Sequence, residues 1–298
     1  MPISGHTRLY CLIGNPVAHS LSPFIHNRAF EGLGINGVYA AFGVSVDQLG
    51  EAIAGLETLG VAGANVTYPH KEAVLPFADE RSERVEILRA ANTLRFTPGG
   101  IVAHNTDAPG TAVAIEKLGG RSLMGRKVLI FGAGGAGRAA ALGVLEAGAA
   151  SVTFCELLPA KAEMELLGLQ GRFPDRDLSV LSMSEEERGA RGAAVAEASI
   201  LINATPPVAG TIGAANLIEE PKWICPEHLC FEFSYHQRLT AFLRTARDGG
   251  ATCLDGLCLL VAQALESFRR WTGEEFDLEE MAAALESHAG AGLVSQKE

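Results

Sequence analysis

Apolar and polar residues along the chain fall into two successive series of short buried strands and amphipathic helices. In the first series, residues 9–13 form a compact apolar run stopped by Gly14-Asn15-Pro16, which reads as a buried strand and its turn. Ser22 and Pro23 then supply a cap and a first helical position for a helix through Phe30. Residues 38–44 read as a second strand, residues 48–59 repeat at helical spacing, and residues 63–67 return to extended chain. Residues 93–96 and 101–104 flank Thr97-Pro98-Gly99-Gly100, the composition of a hairpin turn.

After Asp107 a helical stretch runs to Gly119-Gly120, and the second series starts at Lys127. Its strands are expected at residues 128–131, 152–155, 200–203 and 229–233, with helices in most of the intervals. That alternation is the pattern of a parallel, doubly wound sheet. Residues 256–271 form a long helical pattern, residues 278–287 a further helix, and the last residues are expected to fray. No internal repeat or low-complexity segment interrupts the series. The expected class is α/β, with two α/β units in succession.

Composition narrows the classes. A length of 298 residues accommodates two domains, and 48% hydrophobic against 20% charged residues is the balance of a globular protein rather than a disordered one. A formal net charge of -11 argues against a general nucleic-acid-binding surface, while leaving room for a local basic pocket that holds one carboxylate. No apolar run is long enough to cross a bilayer, and Met1-Pro2-Ile3-Ser4-Gly5-His6 lacks the basic-then-apolar layout of a secretory signal. The six cysteines are scattered, several in apolar runs, as expected of reduced thiols in a cytoplasmic protein. Cys225, His228 and Cys230 are metal-ligand types without a second pair at a finger-like spacing, so no metal is expected.

The strongest single motif is Gly132-Ala133-Gly134-Gly135-Ala136-Gly137, set between an expected strand and an alanine-rich helix. That context makes Gly-x-Gly-x-x-Gly a dinucleotide fingerprint: Gly132 for the tight turn, Gly134 for close approach of a pyrophosphate, Gly137 for helix packing. The next strand ends at Glu156, about twenty residues beyond the last glycine, where an acid accepts hydrogen bonds from the ribose hydroxyls of NAD and repels the 2′-phosphate of NADP. Lys161 is the one base nearby, and a lysine is a poor substitute for an arginine clamp. The expectation is NAD in preference to NADP, with NADP a possible alternative.

Polar groups also cluster at expected strand ends: Ser20-Leu21-Ser22, residues 65–71, and Asn105-Thr106-Asp107. Neither a Gly-x-Ser-x-Gly elbow nor a His-Glu-x-x-His helix is present. Oxidising an alcohol requires loss of a proton from oxygen and a hydride from carbon. Lys71 and Asp107 suit the proton: a lysine with lowered pKa takes it or holds the developing alkoxide, and an aspartate orients the hydroxyl. Which of the two is the formal base stays open, because close ionisable pairs titrate together. Lys71 as a solvated surface lysine, Asp107 as a helix cap and Gln263 as an ordinary buried amide are the plainer readings.

Several motifs in one order carry a resemblance. Gly14-Asn15-Pro16-x-x-His19-Ser20-x-Ser22-Pro23, Asn65-Val66-Thr67-x-Pro69-x-Lys71, Ala91-Asn92-Thr93-Leu94 and Asn105-Thr106-Asp107 resemble the N-terminal domain of the shikimate/quinate dehydrogenase family. The glycine-rich turn, Asn203-Ala204-Thr205, and Asp255-Gly256-Leu257 with Gln263 follow in the family's order. The resemblance implies a substrate domain over residues 1–107 completed by C-terminal helices over 254–298, with a Rossmann dinucleotide-binding domain over 108–253. It implies Lys71 and Asp107 as the catalytic pair, meeting in a cleft between the domains. Ser20 and Ser22 would bind the substrate carboxylate, Thr67, Asn92, Asp107 and Gln263 its hydroxyls, and Tyr235 would line the same cleft. Asn203, Thr205 and Gly256 join the fingerprint and Glu156 as cofactor-binding positions.

The sequence departs from the commonest family pattern at His104, Ala108, Glu156-Leu157-Leu158, Pro206-Pro207, Glu232, Ala241 and Cys258. Ala108 and Cys258 are expected to add volume near the substrate, which leaves the ring acid open between shikimate and quinate. The implied function is reversible oxidation of a ring hydroxyl on a small carboxylic acid, with a non-catalytic sensor or an unrelated Rossmann enzyme as competing readings. No exposed interface is marked, and monomer and homodimer both remain open.

Overall fold

A computed structural model describes residues 3–206, 217–235 and 239–295. The chain divides into two compact units, Met1–Thr106 with Leu260–Glu298, and Asp107–Leu259. Among the described residues no helix is long and apolar enough to cross a membrane.

The first unit carries β1 (Arg8–Gly14), α1 (Ser22–Gly32), β2 (Gly37–Gly43), α2 (Leu49–Thr58), β3 (Gly63–Val66), β4 (Glu80–Arg81), α3 (Glu83–Leu88), β5 (Thr93–Thr97) and β6 (Gly100–His104). Its six strands form one mixed sheet in the order β2-β1-β3-β5-β6-β4. β1 pairs parallel with β2 and β3, while β5 runs antiparallel to β3 and β6. Thr97 pairs with Gly100, so the hairpin turn is the two residues Pro98-Gly99. The expected cap of α1 is corrected: Leu21 holds the cap position without a side-chain bond, and Ser22 is the helix's first residue, buried.

The second unit carries α4 (Asp107–Val113), β7 (Lys127–Phe131), α5 (Gly135–Glu146), β8 (Ser151–Glu156), α6 (Pro159–Arg172), β9 (Asp177–Ser182), α7 (Arg188–Glu197), β10 (Ile200–Asn203), β11 (Leu229–Glu232), α8 (Ala241–Asp248) and β12 (Thr252–Leu254). Its sheet has the order β12-β11-β10-β7-β8-β9, and every pairing is parallel. The order reverses between β7 and β10, the place where doubly wound sheets bind ligands. β9 and β12 are not among the expected strands. β9 is an edge strand with no fully buried residue, so it lacks the apolar run that marks a core strand.

α9 (Gly256–Thr272) begins in the second unit and passes into the first, and α10 (Leu278–Ser295) follows. The boundary between units falls within α9, after Leu259, where the sequence placed it at residue 253. In the first unit, a Cβ at Gly63 would overlap the Trp271 ring, so only glycine lets α9 lie this close to β3. The Trp271 Nε1–H donates to the Leu94 carbonyl at 2.9 Å, anchoring the end of α9 on the sheet.

Candidate active site

Lys71 follows β3 through a turn built on backbone bonds. His70 N–H donates to Thr67 O at 2.9 Å, and Ala91 N–H donates to Lys71 O at 2.8 Å. The His70 ring is fully buried, with Nε2 2.7 Å from the Val44 carbonyl. Lys71 is therefore held on a backbone pinned on both sides, and its side chain is half-buried. Thr67 is half-buried beside β1, where a Cβ at Gly14 would overlap its methyl group.

Ser20 and Ser22 lie at the start of α1, where the Ser20 hydroxyl accepts from Ser22 N–H at 3.2 Å. Ser20 is half-buried and Ser22 buried. The two serines are thus one local unit, bonded to each other.

Between β3, β5, the chain after β6 and α9 lies a buried polar network. Asn65 Nδ2 donates to Thr93 Oγ1, Ser267 Oγ and the Asn92 carbonyl at 3.0–3.1 Å, and Asn65 Oδ1 accepts from the Tyr39 hydroxyl at 2.8 Å. Asn92 Nδ2 donates to Thr106 Oγ1 at 3.0 Å, and Asn92 Oδ1 accepts from Thr106 N–H at 2.8 Å. Gln263 Oε1 accepts from Thr106 Oγ1 at 3.5 Å, while Gln263 Nε2 donates to the Leu260 carbonyl at 2.8 Å. The structure thus brings Asn92 and Gln263 together through Thr106. Buried amides and hydroxyls satisfied by one another form a rigid polar floor.

Tyr39 and Ser267 belong to this floor and are missed by sequence reasoning. Ser267 has a usable signal: it stands four residues after Gln263, on the same helix face. Tyr39 has none beyond being an aromatic residue in a strand. Asp107, the residue after Thr106, opens α4 and begins the second unit.

In the second unit, Gly132 follows β7 with φ 91°, a conformation that favours glycine, and its N–H donates to Cys155 O at 2.9 Å. A Cβ at Gly137 would overlap Gly132 O, which explains the last glycine of the motif. Gly134, Gly135 and Ala136 are exposed, and a Cβ at Gly134 would meet nothing within 4 Å. Gly134 caps α5 with no side-chain bond. The first N–H groups of that helix have no acceptor within the helix, and its dipole favours an anion there. These residues fit the pyrophosphate of a dinucleotide.

Asn203 ends β10 and Thr205 stands over the same turn, with its methyl 3.1 Å from where a Gly132 Cβ would lie. Tyr235 is half-buried after β11, and burial pushes its phenol up. A Cβ at Gly256 would stand 2.6 Å from Phe233 O and Tyr235 N. Gly256 thus lets the start of α9 pack against the segment that carries Tyr235.

Ala108 is fully buried, with its carbonyl pressed so close to Gly143 that a Cβ there would overlap it. Its backbone forms part of a close α4–α5 contact. Cys225 Sγ lies 3.5 Å from His228 Nδ1, while Cys230 is buried in β11. None of the six cysteines is in a disulfide, and among the described residues no group of three or more His, Cys, Asp or Glu is placed to hold a metal ion.

Residues 12–94 match the profile of the shikimate dehydrogenase substrate binding domain, and residues 256–286 that of the shikimate 5′-dehydrogenase C-terminal domain. A relative from Salinibacter ruber, named shikimate dehydrogenase (NADP(+)), is 39% identical over 91% of this chain and 94% of its own. The crystal structure of shikimate 5-dehydrogenase from Listeria monocytogenes in complex with shikimate and NAD superposes with a TM-score of 0.87 at 29% identity, covering 96% of this chain and 98% of its own. Quinate dehydrogenase from Corynebacterium glutamicum in complex with NAD has a TM-score of 0.81 at 28% identity, over 94% and 99% of the two chains.

The expectation of NAD over NADP is corrected by these relatives: the Salinibacter ruber protein and its counterparts in Methanothermobacter thermautotrophicus, Methanopyrus kandleri and Thermococcus kodakarensis all carry NADP(+) in their names. The structure adds what the spacing left out. The sequence presents Glu156 as a carboxylate free to meet the ribose, but its Oε2 accepts from Ala133 N–H and its Oε1 from Leu157 N–H, both at 2.8 Å. One oxygen is bonded to the fingerprint turn and the other to the following residue, so this carboxylate has backbone partners that the spacing does not reveal. The Lys161 side chain, weighed in the same expectation, lies outside the described residues, as does Pro207. With its motifs, both profiles and relatives matched along almost its whole length, this chain belongs to the shikimate dehydrogenase family.

Proposed function

We propose that this chain is an NADP-linked dehydrogenase that interconverts shikimate and 3-dehydroshikimate. The observation that carries the reading is the buried floor joining Asn92, Thr106 and Gln263, followed directly in the chain by Asp107. A rigid array of amides and hydroxyls suits the hydroxyls of a polyhydroxylated ring, because a group built to hydrogen-bond rejects ligands that leave it unpaired. The paired serines Ser20 and Ser22 offer hydroxyls to the substrate carboxylate, Thr67 contributes a further one, and Tyr235 adds a phenol.

A bound nicotinamide supplies the hydride acceptor. Gly132, Gly134, Gly135, Ala136, Gly137, Asn203 and Thr205 are the residues that would hold the dinucleotide. Lys71 and Asp107 handle the proton: the lysine accepts it from, or returns it to, the reacting oxygen, and the aspartate orients the hydroxyl. In the reverse direction the ammonium polarises the carbonyl and holds the oxygen as charge develops. The pinned backbone around Lys71 supports this role, since a proton acceptor must stay within hydrogen-bond reach of its target.

Kinetics of Lys71→Ala and Asp107→Asn test the assignment. Each is expected to lower kcat for shikimate by about a hundredfold or more, the scale of a positioned acid–base group, with NADPH affinity near that of the parent. Full activity in either variant would remove that residue from the mechanism.

A further inference from the structure

Glu232 ends β11 as a carboxylate with 1% of its surface exposed. Three donors converge on it. Oε1 accepts from Ser234 N–H at 2.9 Å, and Oε2 accepts from Asn203 Nδ2 at 2.7 Å and from Thr240 Oγ1 at 3.0 Å. Burial pushes this carboxyl up, and hydrogen bonds, these three among them, offset part of that rise.

An ionised carboxylate only accepts hydrogen bonds, so it fixes which end of the Asn203 amide faces it. The NH2 end must point to Glu232, which turns Asn203 Oδ1 toward Thr205. There Oδ1 accepts from both Thr205 N–H at 3.0 Å and the Thr205 hydroxyl at 2.6 Å. The Thr205 proton is thereby committed to Asn203, and the hydroxyl is left with lone pairs to offer beside Gly132.

We propose that Glu232 is a positioning residue that sets the hydrogen-bond polarity of Thr205 through Asn203, so that Thr205 presents an acceptor to a hydroxyl or amide N–H donor of the bound dinucleotide. The proposal rests on the second unit binding NADP(H), as argued above. Glu232 acts through two side chains and is not a catalytic residue. Its bond to Ser234 N–H ties the same carboxylate to the segment that carries Tyr235.

Replacing the acceptor makes the relay testable. In Glu232→Gln, an amide NH2 faces either Asn203 Nδ2 or Ser234 N–H, donor against donor. Asn203 escapes the clash only by turning over, and Thr205 then loses its acceptor. In Asn203→Asp, two carboxylates face each other. The double variant Glu232→Gln with Asn203→Asp restores every pairing with polarity exchanged. The carbonyl oxygen of the introduced amide would take Ser234 N–H, and its NH2 would donate to the introduced carboxylate and to Thr240. The second oxygen of that carboxylate would accept from Thr205.

NADPH binding, read from the fluorescence of the reduced nicotinamide, is measured for the parent and all three variants, with circular dichroism as the folding check. Each single variant is expected to bind about tenfold or more weakly, the scale of a lost hydrogen bond to a charged group. The double variant is expected to return to within about threefold of the parent on the same grounds. If a single variant fails to fold, recovery of folding and binding in the double variant is the supporting result. Parent-like binding by Glu232→Gln, or a double variant as weak as the product of the single losses, overturns the relay. A parent protein that does not bind NADPH overturns the functional reading and this inference together.

Discussion

Asn65→Ala removes the centre of the polar floor, and the structure limits what that should cost. The Asn92 carbonyl keeps its bond from Val66 N–H at 2.9 Å. Thr93 Oγ1 keeps Ser267 Oγ at 2.9 Å, and Ser267 Oγ keeps the Gln263 carbonyl at 3.0 Å. The group that loses its acceptor is the Tyr39 hydroxyl, on a residue 2% exposed, with the Ser22 hydroxyl as its remaining neighbour. Leaving one buried donor unsatisfied costs about 1–3 kcal/mol. A central value of about 2 kcal/mol corresponds to a fall of about 4–8 °C in the Tm of a unit of this size.

Tyr39→Phe has the complementary defect, since it leaves Asn65 Oδ1 without its donor. The double variant loses both partners of the same bond, so its destabilisation should fall short of the sum of the single losses by about 1 kcal/mol or more. The assay is urea unfolding followed by tryptophan fluorescence in a Trp223→Phe background. Trp271, whose ring lies 6.2 Å from that of Tyr39, then reports on the first unit alone. Single losses that add to within about 0.5 kcal/mol would refute the claim that these two side chains form one element of the floor.

Other consequences follow from the same geometry. Gly137→Val places a side chain onto Gly132 O and should abolish NADPH binding measured by fluorescence, while the first unit keeps its urea midpoint. Gly63→Ala drives a methyl into the Trp271 ring and should cost about 1–3 kcal/mol in the first unit, read by unfolding. His104 is held down to about 4 by burial, by Arg270 and by Arg95. The unfolded chain takes up that proton near pH 6.5 and the folded chain does not, so stability should fall as pH drops from about 6.5 to about 4, by up to about 1.4 kcal/mol per pH unit. His104→Gln should flatten the urea midpoint across that window, and an unchanged slope would sink the assignment.

Most of this architecture is legible in the sequence because its signals are local. The fingerprint turn lies between strand and helix, Gly14-Asn15-Pro16 stops β1, and Thr97-Pro98-Gly99-Gly100 closes the hairpin, each through chemistry held within a few residues. β9 escapes because Asp177–Ser182 is an edge strand without a buried run, and β12 because it has three residues. The larger miss is chemical. Glu156 looks like a free ribose acceptor, but the fold turns it back onto Ala133 N–H, and no spacing rule reveals which backbone donor a carboxylate will meet. The polar floor is half legible: Asn92 and Gln263 stand out in the sequence, but Tyr39 and Ser267 join it through contacts between residues far apart in the chain.

The most direct measurement is the initial rate of nicotinamide reduction, followed by absorbance, with shikimate or quinate and with NADP or NAD. Shikimate with NADP should give the highest kcat/KM of the four combinations. Reduction that is fastest with NAD, or absent with both acids, would contradict the account.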